Sequence, residues 1–240
     1  MFRNLIHRAA HLVLAAAVAL PLALTQTSTP AALAADSSPT RISFARGATN
    51  GSVSSTIAAN ETKQYVVRAL KGQTLFINVS SSTNGVGVQV VGSGKGEPTV
   101  LSRSADGANW TGTLPANQDY IIKVTANNNV ATFSMNVTIP RRISFARGAT
   151  SGSVDGSIAT RRTNSYILRA AKNQTMTVTV TSKDSVALTI YGLTDGQSLV
   201  RADGTRVSTW SGKLPADQDY VIAVVPGVDA TTFTLAVTIK

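Results

Sequence analysis

Histidine and cysteine, the residues on which most catalytic and metal sites depend, are almost absent from this sequence. Both histidines, His7 and His11, lie near the N-terminus, before the apolar run that begins at Leu12, and there is no cysteine. Without imidazole or thiol the rest of the chain has no Ser–His pair, no thiolate nucleophile and no conventional zinc site. Two carboxylates would suffice for a glycosidase, but Glu61 has Arg162 as its counterpart in the second half of the chain. We therefore expect a protein that is not an enzyme and uses no cofactor and no metal.

Calcium is the cation for which the sequence offers some oxygen ligands. Asp217 and Asp219 are one residue apart, and Asp203 precedes a glycine. However, the counterpart of Asp217 in the first half is Asn117, and neither stretch has the charge density of a dedicated loop. Turn aspartates that accept hydrogen bonds from nearby backbone N–H groups are the preferred interpretation, also for Asp119.

Arginine and tryptophan supply the candidates for a binding site. The nine residues RISFARGAT occur at 41–49 and again, letter for letter, at 142–150, which places an arginine before a glycine in two equivalent turns. Guanidinium groups bind carboxylates and phosphates, although an inherited arginine at a sheet edge can also simply block aggregation. The two tryptophans could stack on sugar rings or cover one end of each core. The candidate binding residues are Arg46, Arg147, Arg103, Arg201, Arg206, Trp110 and Trp210.

The first 34 residues have the features of a secretory signal peptide. Arg3 and Arg8 give a positive start, residues 12–24 form an apolar run, and Ala32-Leu33-Ala34 precedes the expected cleavage point before Ala35. The run is shorter than the roughly 20 apolar residues that span a bilayer. We expect the mature chain to be secreted, to the extracellular space, the periplasm or the cell surface, and to have no membrane span.

The charge of the chain favours anionic partners without indicating nucleic acid. The net charge of +10 falls to +8 when Arg3 and Arg8 are removed, and the excess is spread over both halves of the chain. There is no block of like charges, so we expect a surface that attracts anionic polymers mildly and is not a dedicated nucleic-acid groove.

The chain repeats itself with a period near 100 residues, which indicates a domain duplication. Residues 110–116 read WTGTLPA and residues 210–216 read WSGKLPA, and each is followed by x-Gln-Asp-Tyr. After the short segment 35–40, we expect one domain at 41–140 and a second at 141–240. Loops 82–97 and 201–209 differ between the repeats. The joint Ile139-Pro140-Arg141 leaves almost no linker and should restrict their mutual orientation.

Within each repeat, apolar residues alternate with polar ones. Leu75, Ile77 and Val79 illustrate this in the first repeat, and similar runs are separated by Gly, Asn, Asp and Pro. We predict an all-β chain with two tandem antiparallel β-sandwich domains, jelly-roll-like and with about eight strands each. Apolar residues that should point outward suggest additional buried surface, namely Val66, Ile121, Ile167 and Val221.

The order of the motifs resembles two related kinds of bacterial β-sandwich. An Ile-x-Phe strand leads to Arg-Gly, a Gly-Ser-Val strand, the Tyr strands QYVVRAL and SYILRAA, and Leu-Pro-Ala-x-Gln-Asp-Tyr. This pattern resembles the pre-peptidase C-terminal domain of secreted bacterial proteins and the bacterial inhibitors of g-type lysozyme, and it covers 41–140 and 142–240. The resemblance implies a non-enzymatic sandwich whose end loops block a lysozyme cleft. The inhibitors typically have one such domain, and no inhibitory residue is carried over to this chain.

Three functions are compatible with these observations. The most concrete is an inhibitor of g-type lysozyme, for which the partner is a protein. The second is an adhesion or matrix module that binds anionic cell-wall or extracellular polysaccharide, with the two repeats acting together to increase avidity. The third is a structural component of the cell surface. The sequence leaves the oligomeric state open.

Overall fold

The computed structural model describes residues 38–83, 85–94, 100–104, 109–201 and 206–240. The predicted signal peptide and residues 35–37 lie outside this range, as do parts of the two loops that differ between the repeats. The described residues belong to one compact unit. In this part of the chain there is no helix that is long and apolar enough to cross a membrane.

The described chain is all-β, as the period-two patterns predict. The strands of the first repeat are β1 (Thr40–Arg41), β2 (Asn50–Ile57), β3 (Thr62–Ala69), β4 (Thr74–Ser81), β5 (Val86–Gly92), β6 (Val100–Ser104), β7 (Asn109–Thr113), β8 (Gln118–Ala126) and β9 (Ala131–Thr138). Those of the second repeat are β10 (Arg141–Arg142), β11 (Ser151–Ile158), β12 (Asn164–Ala170), β13 (Thr175–Ser182), β14 (Val186–Gly192), β15 (Ser198–Val200), β16 (Thr209–Lys213), β17 (Gln218–Pro226) and β18 (Thr231–Ile239).

Each repeat forms a sandwich of two sheets. In the first repeat the sheet orders are β1-β3-β8-β5-β6 and β2-β9-β4-β7, and the second repeat has the equivalent orders β10-β12-β17-β14-β15 and β11-β18-β13-β16. Apart from the short β1 and β10, successive strands alternate between the two sheets until the β5–β6 and β14–β15 pairs, which is the connectivity of a jelly roll. The longer strand pairs are antiparallel.

The alternating residues of each repeat form a separate apolar core. In the first, Tyr120 and Phe133 are at most 1% exposed, and the ring of Phe133 meets that of Tyr65 edge to face, with centroids 6.2 Å apart. Tyr166 and Phe233 repeat this contact in the second core at 6.1 Å. Because each core is filled by its own repeat, the sandwiches are alike inside, and their differences lie on the surface.

The motif Leu-Pro-Ala-x-Gln-Asp-Tyr closes each sandwich with a tyrosine corner. The buried hydroxyl of Tyr120 donates to the carbonyl of Ala116 at 2.8 Å and accepts from the N–H of the same residue at 3.1 Å. Tyr220 makes the same two bonds with Ala216, at 2.8 and 3.2 Å. Each tyrosine hydroxyl therefore provides a hydrogen-bond partner for the N–H and the carbonyl of an alanine that lies outside the strands.

The repeated stretch RISFARGAT differs in detail from the strand that its pattern predicts. Ile42 is buried and Phe44 packs partly on the core, as expected, but the ladder covers only Thr40–Arg41, and it runs parallel to β3. Beyond it, Ile42 N–H donates to the Val66 carbonyl at 2.8 Å. The chain then turns at Gly47, whose φ of 78° is in the left-handed region that favours glycine.

Candidate binding cleft between the repeats

The two copies of RISFARGAT are identical in sequence but have different surroundings. Thr49 is 1% exposed, and Asn50, which follows it, is 7% exposed. Their counterparts Thr150 and Ser151 are both exposed. The difference arises because the first copy packs against the second repeat, whereas the second copy faces away from such a contact.

Asn164, the first residue of β12, forms hydrogen bonds with the first copy of RISFARGAT. Its side chain is 1% exposed, and its Nδ2 donates to the carbonyl of Ser157 at 2.8 Å and to that of Gly47 at 3.4 Å. Its Oδ1 accepts from the N–H of Thr49 at 3.4 Å. One buried amide therefore connects the second repeat to Gly47 in the turn and to Thr49 just after it.

Neighbouring bonds extend this junction along β2 and β12. The N–H of Ser165 donates to Thr49 Oγ1 at 2.8 Å, and Arg162 Nη1 donates to Ser52 Oγ at 2.6 Å. The Asn50 amide donates to the carbonyl of Thr163. The outer surface of the first repeat thus meets the outer surface of the second at strand β12.

Two apolar residues on the outer face of the second repeat are more buried than their counterparts in the first. Ile167 and Val221 are 2% and 1% exposed although neither belongs to the core of the second sandwich. Their counterparts in the first repeat are Val66, at 9%, and Ile121, which is half-buried. Tyr191, on the next strand, lines a depression together with Phe76 of the first repeat, and burial raises the pKa of its phenol.

A cleft of about 680 Å³ opens beside this junction. One wall is the RISFARGAT turn and the start of β2 in the first repeat. The other wall consists of the end of β11, the start of β12 and the loops before β14 and β18 in the second repeat. The lining residues are Ser43, Ala45, Arg46, Ala48, Asn50, Gly51, Ser52, Ser157, Ile158, Ala159, Arg162, Asn164, Lys183, Asp184, Ala230, Thr231 and Thr232.

The charged groups of the cleft are mainly basic. Arg46 comes from the first repeat, Arg162 and Lys183 come from the second, and Asp184 is the single acidic residue among the lining residues. A second depression, of about 710 Å³, shares Arg46 and Lys183 and adds one cation and one acid. That acid, Asp155, accepts a hydrogen bond from Thr234 Oγ1 at 2.6 Å.

Asn50 also leaves a hydrogen-bond acceptor without a partner at the cleft. Its side chain lines the cleft, and its Oδ1 is buried with no partner among the described residues. A buried amide oxygen of this kind is costly unless a water or a ligand donates to it.

The structure corrects the interpretation of Asp119 and Asp219 as turn residues. Arg41 Nη2 donates to Asp119 Oδ2 at 2.9 Å. In the second repeat, both terminal nitrogens of Arg142 donate to Asp219, at 3.0 and 2.9 Å, and this bond raises the pKa of the arginine. These ion pairs explain the first arginine of each RISFARGAT copy. In the first repeat it connects β1 to β8 across β3, and in the second repeat it connects β10 to β17 across β12.

The turn role belongs instead to the residue two positions earlier. Asn117 Oδ1 accepts from the N–H of Lys71 at 2.6 Å, and Asp217 Oδ1 accepts from that of Lys172 at 2.7 Å. Asp217 and Asp219 are therefore engaged with different partners. Among the described residues no group of three or more His, Cys, Asp or Glu is placed to hold a metal ion. Asp203 lies outside them.

The other candidate arginines are not brought together. Arg147, Arg201 and Arg206 are all exposed. A methyl group on Gly227 would lie 3.3 Å from Arg206 Nη1, which places this guanidinium beside the β17–β18 loop. Arg103 lies opposite Gln89 in the β5–β6 ladder, and its side chain is outside the described part of the structure.

The two tryptophans pack against their own cores. Trp110 and Trp210 are half-buried, on the edge strands β7 and β16. Each indole lies over the glycine two residues further along the same strand, where an added methyl group would be within 2.6 Å of the ring. Sugar stacking on these rings remains a prediction.

The sequence predicts Arg46 as a binding residue but not the residues that line the same cleft. Arg162, Asn164 and Lys183 all come from the second repeat. At the positions of Arg162 and Asn164 the first repeat has Glu61 and Lys63. Such differences between otherwise similar repeats are the signal that could have located the junction.

Comparisons with known proteins give similarity to solved structures alone. No protein-family model and no curated protein sequence matches the chain. It is similar to PliG, a periplasmic inhibitor of g-type lysozyme, from Aeromonas hydrophila, at 28% identity over 42% of this chain and 96% of that chain, with a TM-score of 0.38. It is similar to PliG from Salmonella Typhimurium at 20% identity over 41% of this chain and 96% of that chain, with a TM-score of 0.33. The PBSX exported protein XepA covers more of the chain, 82%, and 88% of its own, at 12% identity and a TM-score of 0.30.

Proposed function

We propose that the chain is an exported binding protein without enzymatic activity, and most concretely an inhibitor of g-type lysozyme. The motif pattern that resembles the bacterial lysozyme inhibitors occurs in both repeats, from RISFARG to the tyrosine corner. Beyond His7 and His11 in the predicted signal peptide the chain has no histidine, and it has no cysteine, so a Ser–His pair, a thiolate nucleophile and a conventional zinc site are not expected.

The observation that carries the proposal is the free turn at Arg147. Its side chain is exposed, and it belongs to neither of the two ion pairs of the described residues. Gly148 has a φ of 80°, and a methyl group added to it would have no other atom within 4 Å, so the turn is open to solvent. The turn therefore presents a guanidinium in the way that an inhibitor of a separate protein requires.

The chemistry of this turn suits a lysozyme. Glycoside hydrolysis depends on carboxyl groups that flank the scissile bond, and a guanidinium that reaches one of them would block the cleft. The net charge of the mature chain opposes association with a basic lysozyme at long range. Inhibition must therefore come from a local contact, and it should survive moderate salt.

Titration in a cell-wall lysis assay tests this function. Residues 35–240 are added to a g-type and to a c-type lysozyme, and we expect inhibition of the g-type enzyme near one-to-one stoichiometry. Arg147→Gln should weaken this inhibition about tenfold. Arg46→Gln, the same change in the copy that lines the cleft between the repeats, is the matched control and should retain it. Full lysis at a large excess of the chain contradicts the proposal.

A further inference from the structure

We propose that the cleft between the two repeats binds an acidic oligosaccharide, with a carboxylate held by Arg46 and Lys183 and sugar hydroxyls held by the polar lining. This site is separate from the exposed turn at Arg147. It is built from both repeats, and it goes beyond the inhibition of a lysozyme.

The cations of the cleft are available for a ligand. Arg46 and Lys183 make no ion pair among the described residues, and the guanidinium of Arg162 is positioned by its bond to Ser52 Oγ. Asp184 offsets one of the three positive charges. Walls of low dielectric on both sides concentrate the remaining field in the cleft, which favours an anion over a neutral ligand.

The rest of the lining matches a sugar. Ser43, Ser157 and Thr232, which carry hydroxyl groups, and Asn50, which carries an amide, are among the lining residues. No aromatic ring is among the lining residues, so recognition depends on hydrogen bonds and charge and not on stacking. The volume of about 680 Å³ lies within the range of roughly 300–1,000 Å³ typical of ligand sites.

The site is specific to the junction and is not a property of one repeat. At the positions of Arg162 and Lys183 the first repeat has Glu61 and Ser82, so the corresponding end of the first sandwich lacks both cations. Arg147 belongs to an identical stretch but faces no second wall. The second repeat therefore supplies the groups that turn an inherited arginine into part of a site.

Isothermal titration calorimetry with residues 35–240 tests the site directly. Tetragalacturonate is the acidic probe, and its fully methyl-esterified form and maltotetraose are the neutral ones. We expect binding of tetragalacturonate alone, weakening as salt is added. Arg46→Gln and Lys183→Gln should each weaken it about tenfold, because each removes one charged hydrogen bond. Arg147→Gln, the matched control, should leave it unchanged.

Several results would overturn the proposal. Equal binding of the neutral sugars would remove the role of charge, and equal losses from Arg46→Gln and Arg147→Gln would mean a diffuse surface effect. Binding of hexaglutamate in place of tetragalacturonate would assign the cleft to an acidic peptide. No heat with any probe, from a chain whose thermal unfolding is normal, would also sink it. Since no lysozyme is present, these results are independent of inhibition.

Discussion

Four arginines in the two RISFARGAT copies divide into a paired kind and a free kind. Arg41 and Arg142 each pair with an aspartate, whereas Arg46 and Arg147 pair with none in the described structure. The Arg142–Asp219 pair has two bonds and lower exposure, with the two side chains 43% and 20% exposed against 54% and 32% for Arg41–Asp119. The paired arginines therefore hold the entry strand in place, and the free arginines are available for ligands.

We predict that both ion pairs contribute little to stability, and unequally. Double-mutant cycles with Arg→Gln and Asp→Asn should give coupling of about 1 kcal/mol for Arg142–Asp219 and about half of that for Arg41–Asp119, because both arginines are largely solvated. Urea denaturation at low salt measures these values, and both should shrink in 1 M salt. A larger coupling for Arg41–Asp119 would contradict the geometry.

Removing a hydroxyl should have opposite consequences at two buried tyrosines of the second repeat. Tyr220→Phe leaves the N–H and carbonyl of Ala216 without their partner and should cost about 1–3 kcal/mol. The hydroxyl of Tyr166 is buried with no hydrogen-bond partner of good geometry among the described residues. Burial raises its pKa, and Arg141 and the nearby Asn164 side chain lower it only in part. Tyr166→Phe should therefore be neutral or slightly stabilising. Denaturant midpoints of the two variants decide this, and equal losses would show that Tyr166 has a partner.

At the scale of the strand, Trp110 and Gly112 act as one unit on β7. Glycine normally weakens a strand, so Gly112→Ala would gain about 0.5–1 kcal/mol from the backbone. The new methyl group would, however, lie within 2.6 Å of the indole, and such overpacking costs about 1–3 kcal/mol. We predict a net loss of stability and a red shift in tryptophan emission. Thr113→Ala, at the exposed end of the same strand, is the control and should leave the emission unchanged.

The strands that could be predicted from the sequence are those in which apolar and polar residues alternate over enough positions. Leu75, Ile77 and Val79 alternate over a full strand, so their burial against the opposite sheet follows from the sequence. A two-residue ladder such as Thr40–Arg41 is too short to show an alternating pattern. Its parallel pairing depends on a contact with β3 some 25 positions away. The sequence therefore predicts the sandwich but not its entry strand.

At the scale of the whole molecule, the sequence predicts the arginines of the candidate site but not which of them lines the cleft between the repeats. Arg46 and Arg147 have identical neighbours for several residues on either side, and nothing local distinguishes the covered copy from the free one. The distinction is made by the packing of one repeat on the other, where Asn164 and Arg162 replace Lys63 and Glu61. The two repeats carry the same arginine, and a few residues that differ between the repeats give the two copies different surroundings.

The same pair of copies provides a test of the junction itself. Thr49→Arg places a charged side chain where the threonine is 1% exposed. The repeats should separate, because the free-energy cost of burying an unpaired charge exceeds the stabilisation from the polar contacts of the junction. Since the chain has no cysteine, labels at Lys71→Cys and Lys172→Cys report the distance between the repeats by pulsed electron spin resonance. We expect a narrow distance distribution in the parent chain and a broad one in Thr49→Arg. Thr150→Arg, the same change in the exposed copy, should keep it narrow. A distribution that stays narrow in Thr49→Arg would mean that the junction does not depend on this contact.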